Sequence, residues 1–318
     1  MGGSCLSSGT SEIDAAISIA QARGIGSRRV ARLFEEFGSY RAIASSSPGE
    51  LAHVLRCSSA NAARIVRSIS QAKATRLRMV GQQHGAVAIP RGDVGYPMLL
   101  EGICDPPPLI WARGNLSLLN RPGVAVIGTR RCSADAADVI DQFVGPLGRA
   151  GFVIISGGAR GVDAAAHRAA LREGVETIAV LGSGLDQPYP PEHVNLFEEI
   201  VTSNGLIITE YACGVGPRPG QFPARNRIVA GMCIGVLVHQ AGARSGAMIT
   251  ARLAAEENGR EVMVVPGSIL DQRNRGAHRA IREGWAALVD APEEALEVLM
   301  ESRGLIQALE EGSPGELD

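Results

Sequence analysis

The chain predicts an α/β fold, a parallel sheet wound with helices behind a small all-helical domain. Three observations carry this. Residues 12–75 place their apolar side chains at helical intervals with no strand between them. From Val80 onward, continuous Val, Ile and Leu runs alternate with helical stretches, the pattern of strands covered on both faces. These runs end in glycines and small polar residues, as expected where parallel strands open onto a ligand groove.

In chain order, the helical spacing appears at Ile13, Ile17 and Ile19, then at Val30, Leu33 and Phe34, then at Ile65 and Ile69. Within it, "RGIGSRRVARLFEEFGS" sets Gly24-Ile25-Gly26 between two helices, the pattern of a helix-hairpin-helix unit whose turn amides can hold a DNA phosphate. A plain helical turn with glycine caps explains the same residues equally well. "RCSSANAARIV" is a weaker echo. The segment Arg91 to Asn120 reads as an extension that joins the helices to the sheet and adds strands at its edge. The strands follow as "VAVIG" (124–128), "FVIIS" (152–156), "TIAVL" (177–181), "LIIT" (206–209), "IGVLV" (234–238) and "EVMVV" (261–265). One more helix and a Gly/Pro/Glu-rich tail are expected beyond Asp290. The division is therefore residues 1–78, helical; 79–292, Rossmann-like; and 293–318, a short acidic tail.

Composition narrows the function. With 318 residues, 45% hydrophobic and 20% charged, the chain reads as an ordinary globular protein. A net charge of −2 excludes a wholly basic nucleic-acid coat, so any nucleic-acid site must be a local patch. Arginine is concentrated between Arg23 and Lys73, and Lys73 is the single lysine, a bias that a GC-rich genome produces. Cys5, Cys57, Cys104, Cys132, Cys213 and Cys233 form no C-x-x-C pair, so neither zinc nor a disulfide framework is expected. The opening MGGSCLSSGT lacks a signal-peptide pattern, Leu6 breaks a myristoylation motif, and no run reaches membrane-spanning length. A cytoplasmic protein without membrane insertion is expected.

The strand-to-helix turn "IISGGARGVDAAAH" (154–167) predicts an anion site, because glycine amides at a helix N-terminus attract negative charge. Neither it nor "GTRRCS" matches a dinucleotide fingerprint, and the Gly-Lys-Ser/Thr of an ATP-binding loop is missing. The strand ends instead supply Arg130, Arg160, Arg225, Arg227 and Arg244. A row of guanidinium groups and glycine amides suits a run of phosphates better than one pyrophosphate.

The stretches "YPMLLEGICDPPPLIWARGN", "VAVIGTRRCS", "ISGGARGVDAAAHRAAL", "TIAVLGSGLDQPYPPEHVNLFEEI", "GLIITEY", "FPARNRIVAG", "RSGAMITARLAAEENGREVMVVPGS" and "NRGAHRAIREGW", in this order, resemble the DprA/Smf family. The resemblance runs from about Glu12 to Asp290. It implies an N-terminal SAM-like or helix-hairpin-helix-like domain before an extended Rossmann domain. It also implies single-stranded DNA binding, a homodimer, and loading of the RecA recombinase on incoming DNA in natural transformation. By this resemblance Gly128, Thr129 and Arg130 of "GTR" and Arg160 of "GARG" fall on DNA-contacting positions. Ser156, Gly157 and Gly158 would offer a hydroxyl and amides, and Ser245 of "RSG" joins the set. Phe222, Arg225, Asn226 and Arg227 of "FPARNR" fall on a loop where a ring can stack a base while the polar groups hold the backbone. No catalytic residue, metal or cofactor is expected.

Bland roles compete: Arg130 as a solvated arginine, Arg160 paired with Asp163, Phe222 in the core. Asp163 and His167, four apart, suit acid-base chemistry less well than bracing of their own helix. His193 has no evident partner, and Glu210 of "TEY" either shapes the groove or satisfies buried amides. Two departures from the family stand out. His239 and Gln240 replace a usual glutamate, and residues 291–318 are too short and acidic for the winged-helix domain many relatives carry. The competing function is a LOG-type phosphoribohydrolase of the same superfamily, whose P-G-G-x-G-T-x-x-E turn and catalytic glutamate are missing here. A structural adaptor holding a protein tail in the groove is the third reading.

Overall fold

The computed structural model describes residues 11–70 and 72–311, with side chains as far as 302. Cys5 and Leu6 lie outside the described residues. Six helices open the chain: α1 (Glu12–Ala20), α2 (Ser27–Phe37), α3 (Tyr40–Ser45), α4 (Pro48–Leu55), α5 (Ser59–Ser70) and α6 (Ala74–Gln83). Serine oxygens cap several of them, and Ser47 with Glu50 forms a reciprocal capping box at α4. Ile17, Ile19, Val30, Leu33, Ile65 and Ile69 are buried among them, as their spacing predicts, while Ile13 and Phe34 are half-buried against the same cluster.

The extension supplies β1 (Val87–Pro90), the short α7 (Met98–Glu101) and β2 (Leu109–Gly114). Both strands are antiparallel and stand at one sheet edge, which is where the sequence places added strands. The phenol of Tyr40 donates to the carbonyl of Pro108 at 2.8 Å, tying the helices to this edge.

The sheet continues through β3 (Gly123–Gly128), α8 (Ala136–Arg149), β4 (Val153–Ser156), α9 (Val162–Glu173), β5 (Thr177–Leu181), α10 (Val194–Thr202), β6 (Leu206–Thr209), α11 (Gln221–Gly231) and β7 (Gly235–His239). It closes with α12 (Gly246–Arg252), β8 (Glu261–Val265), α13 (Arg275–Arg282), β9 (Ala287–Leu288) and α14 (Pro292–Glu311). The nine strands lie in the order β1-β2-β6-β5-β4-β3-β7-β8-β9, parallel from β6 onward.

Strand alternation builds the two faces. Val124, Val126 and Ile154 pack against α8, α9 and the start of α14, whereas Ala125, Ile127 and Ile155 pack against α11, α12 and α13. Ala179, Leu181, Ile207 and Trp111 share a cluster with α10 and the N-terminal helices, so the helical module leans on the sheet. Two sequence boundaries look different in the fold. α6 runs across position 78, and residues 292–302 are a helix that buries Ala295 and Leu299 rather than a loose acidic tail.

Candidate nucleic-acid interface

From β3 the chain moves outward through β4 and β5 to β6, then returns through α11 to β7 on the other side of β3. The β3/β7 boundary is thus a topological switch point, where an open α/β sheet leaves a crevice beyond its carboxyl ends. A cavity of about 370 Å³ lies there. It is lined by Gly128, Thr129 and Arg130 after β3, Gly157 and Ala159 after β4, Asp163 on α9, Phe222, Arg225 and Asn226 on α11, and Ser245 before α12.

The floor is a buried ionic arrangement. Arg225 sends its guanidinium from α11 under the β4 turn, where Nη1 donates to the carbonyls of Gly157 and Val180. A Cβ at position 157 would collide with that guanidinium, so the approach requires glycine. Asp163 accepts from the Ala159 amide at 3.3 Å. Burial raises its carboxyl above the ordinary aspartate range, and the nearby Arg225 charge opposes the shift. Burial in turn lowers Arg225, with Asp163 acting against it. Each is the other's counter-charge.

This corrects the anion expected at the 154–167 turn. Asp163 takes the Ala159 amide from inside the molecule, and the Val162 amide donates to the carbonyl of Thr129 at 3.2 Å. The turn reaches this shape because Gly161 adopts φ +77°, where a side chain would strike the Thr129 carbonyl. A ligand therefore meets the side chains at the rim more readily than the amides.

At the rim, cations and rings alternate. The Arg130 guanidinium carbon lies 5.9 Å from the Phe222 ring centroid. Phe222 meets Tyr189 at 5.4 Å between centroids with the planes tilted by 53°. The Arg160 guanidinium carbon lies 5.9 Å from the Tyr189 ring and its Nε donates to Glu192. Both arginines are exposed. Such an array offers guanidinium groups to phosphates and ring faces to bases, as single-strand binding surfaces do. Tyr189 escaped the sequence reading, although it stands in the quoted loop "DQPYPPEH" after β5; Arg160 was expected to pair with Asp163, but Glu192 from the same loop holds it.

Not every expected residue faces the crevice. "FPARNR" is the start of α11 and not a loop, because Pro223 sits in the first turn, where a missing N–H costs no intrahelical bond. Helical geometry then sends Arg227 to another side, onto Glu210 at 2.6 Å and the Asp105 carbonyl at 2.8 Å. That pair accounts for Glu210. Ser156 is buried and its hydroxyl donates to the Val126 carbonyl at 2.7 Å, so it offers nothing to a ligand. Gly158 lies behind the crevice, its carbonyl accepting from His193 Nδ1 at 3.0 Å. Arg244 is exposed but does not line the cavity.

Asp163 and His167 do not act together: His167 turns to Thr177 Oγ1 at 2.8 Å. Gln240, in place of the family glutamate, adopts φ +53°. Its side chain accepts from the Ser133 amide at 2.8 Å and donates to the Ser133 hydroxyl, while its carbonyl accepts from the Thr129 amide at 2.8 Å. An amide thus fastens the Arg130 loop to the end of β7. His239 is buried and held below the usual imidazole range by burial.

Among the described residues no cluster of three His, Cys, Asp or Glu side chains could hold a metal ion, and the five cysteines there are free thiols. No described helix is long and apolar enough to cross a membrane.

The chain is 46% identical over 201 residues to DNA processing protein DprA of Streptococcus pneumoniae, covering 63% of this chain and 70% of that protein. Protein Smf of Synechocystis is 40% identical over 235 residues, 73% of this chain but 57% of the relative's length. The crystal structure of the pneumococcal DprA matches with a TM-score of 0.79 at 36% identity, over 89% of this chain and 97% of that one. A structure of DNA processing protein A from Helicobacter pylori, a protein with a single-stranded DNA binding mode, matches at 0.61 and 31% identity, over 68% and 96% of the two chains. The sequence profile of the DNA recombination-mediator protein A family matches residues 88–300, so the sheet, its edge extension and the switch-point crevice all fall within one described family, and the chain belongs to it.

Proposed function

We propose that the chain binds single-stranded DNA across the switch-point crevice and serves DNA processing in transformation and recombination, without catalysing a reaction. The observation that carries this is the Arg130–Phe222–Tyr189–Arg160 array, two exposed guanidinium groups flanking two rings. Arg130 and Arg160 pair with successive phosphates, Phe222 and Tyr189 stack bases, and Gly128, Thr129, Asn226 and Ser245 line the path between them. Support comes from the family and from the single-strand binding of the Helicobacter pylori relative.

Loading of RecA, a homodimer and a cytoplasmic location belong to the same reading, as does the division into a helical module, a Rossmann-like domain and an acidic end. Affinity measured side by side for oligo-dT, its duplex with oligo-dA and a nucleoside monophosphate tests the core of it. Tighter binding of oligo-dT is expected, and equal affinity for the duplex would sink it. Release of free base from the monophosphate, lost on Asp163→Asn, would favour the phosphoribohydrolase instead. For loading, RecA filaments should form faster on protein-coated single strands when the chain is present.

A further inference from the structure

A second basic surface lies on the helical module, apart from the crevice. A cavity of about 790 Å³ is walled on one side by Arg23, Gly24 and Arg29 of the α1–α2 turn and on the other by Asn61, Arg64 and Arg67 of α5. The Arg23 amide donates to Ser68 Oγ at 2.8 Å, so the turn and α5 are held together as the two walls of one built feature.

Charge at this surface is one-sided. Residues 11–78 contain eleven basic and five acidic side chains. Three of those carboxylates are engaged elsewhere: Glu12 accepts from the Tyr40 and Arg41 amides, Asp14 pairs with Arg78, and Glu50 closes the α4 capping box. Glu35 and Glu36 lie at the far end of α2. Arg23, Arg29, Arg64 and Arg67 are all exposed, and no ion pair among the described residues involves them. Four unpaired guanidinium groups around a concavity call for a polyanion.

The lining contains no aromatic ring. A single strand bound in such a site would leave its bases without a stacking partner, whereas a duplex keeps its bases stacked and presents only phosphates. We infer that this arginine-lined cavity of the helical module is a second DNA site, one that grips the backbone of duplex DNA without reading sequence. The chain would then hold a duplex with its helices and a single strand with its crevice. This goes beyond the proposed function and stands on different residues.

The test uses the full chain with a 20-base-pair duplex and a dT oligonucleotide, titrated across a salt series. In Arg64→Ala/Arg67→Ala, the slope of log K against log salt for the duplex is expected to fall by roughly 1.8, about 0.9 for each lost phosphate contact, with dT binding unchanged. Arg64→Lys/Arg67→Lys should keep most of the slope, and both variants should melt as the wild type does, because these side chains are exposed. Duplex affinity and slope that match the wild type in the alanine variant would overturn the inference. So would loss of duplex binding on Arg130→Ala alone, which would assign the duplex to the crevice. Failure of dT binding in Arg130→Ala bears only on the crevice, so the two readings fail separately.

Discussion

Tyr189, from the loop after β5, and Phe222, from the first turn of α11, meet with ring centroids 5.4 Å apart at the rim of the crevice. The cis bond that follows, Tyr189–Pro190, belongs to the same loop. Two elements far apart in sequence thus share one apolar platform between two arginines.

The platform should carry base stacking. Phe222→Ala and Tyr189→Ala are each expected to weaken oligo-dT binding by about 1–3 kcal/mol, with the salt slope unchanged because no phosphate contact is lost. Phe222→Trp should retain affinity. Fluorescence anisotropy across a salt series separates the two effects, and a fall in slope would show that the rings act by positioning the arginines.

Arg130 and Arg160 should behave in the opposite way. Replacement of either by alanine is expected to lower the single-strand salt slope by roughly 0.7 and to weaken all sequences alike. Glu192 adds a further expectation. It holds the Arg160 guanidinium in the free protein and its own carboxyl lies below the usual glutamate range for that reason, so it competes with phosphate. Glu192→Gln should therefore tighten oligo-dT binding in wild type and have no effect in Arg160→Ala. An equal gain in both backgrounds would mean that Glu192 repels DNA without engaging Arg160.

How much of this could be read in the sequence follows from range. The six strands were legible because parallel strands buried on both faces carry unbroken Val, Ile and Leu runs, as "VAVIG" and "TIAVL" do. The crevice was legible because glycine and arginine close those runs. Side-chain direction was not. "FPARNR" supplies three groups in one motif, yet helical periodicity sends Arg225 into the floor, Asn226 toward the opening and Arg227 to Glu210. Asp163 and His167 share a helix but are each claimed by different strand-side partners, Ala159 and Thr177. Pairings across such distances leave no local signal in the chain.

The buried pair in the floor gives a stability prediction. Arg225→Met removes the only strong counter-charge to a fully buried Asp163 and leaves the Gly157 and Val180 carbonyls without their donor. Loss of one partner from such a pair costs about 3–5 kcal/mol, whereas replacing both by apolar groups is much cheaper. The double variant Arg225→Met/Asp163→Leu should consequently be more stable than Arg225→Met alone. Chemical denaturation of the four members of this cycle measures the coupling, and additive losses would show that the two groups do not compensate each other.

His167 makes the fold acid-sensitive. Thr177 spends its hydroxyl proton on the Ile154 carbonyl at 2.7 Å, so at 2.8 Å the imidazole Nδ1 must donate to Thr177 Oγ1. That leaves the buried Nε2 unprotonated and without a hydrogen-bond partner. Burial, with His193 and Arg225 nearby, pushes His167 from 6.5 down to about 3. The folded protein thus refuses a proton that the unfolded chain accepts. Stability from this group is whole above pH 6.5 and declines as the pH falls from there toward 3, by up to about 1.4 kcal/mol per pH unit. Asp163 contributes in the other sense, since its raised carboxyl binds a proton more readily folded than unfolded, and only a comparison of variants isolates the histidine. His167→Asn keeps a donor for Thr177 but cannot titrate. It should be less stable than wild type at pH 7.5, where a small cavity is its only defect, and the gap should close as the pH is lowered from 6.5 to 4.5. A gap that stays constant over that interval, measured by urea unfolding, would show that His167 does not govern the acid limb.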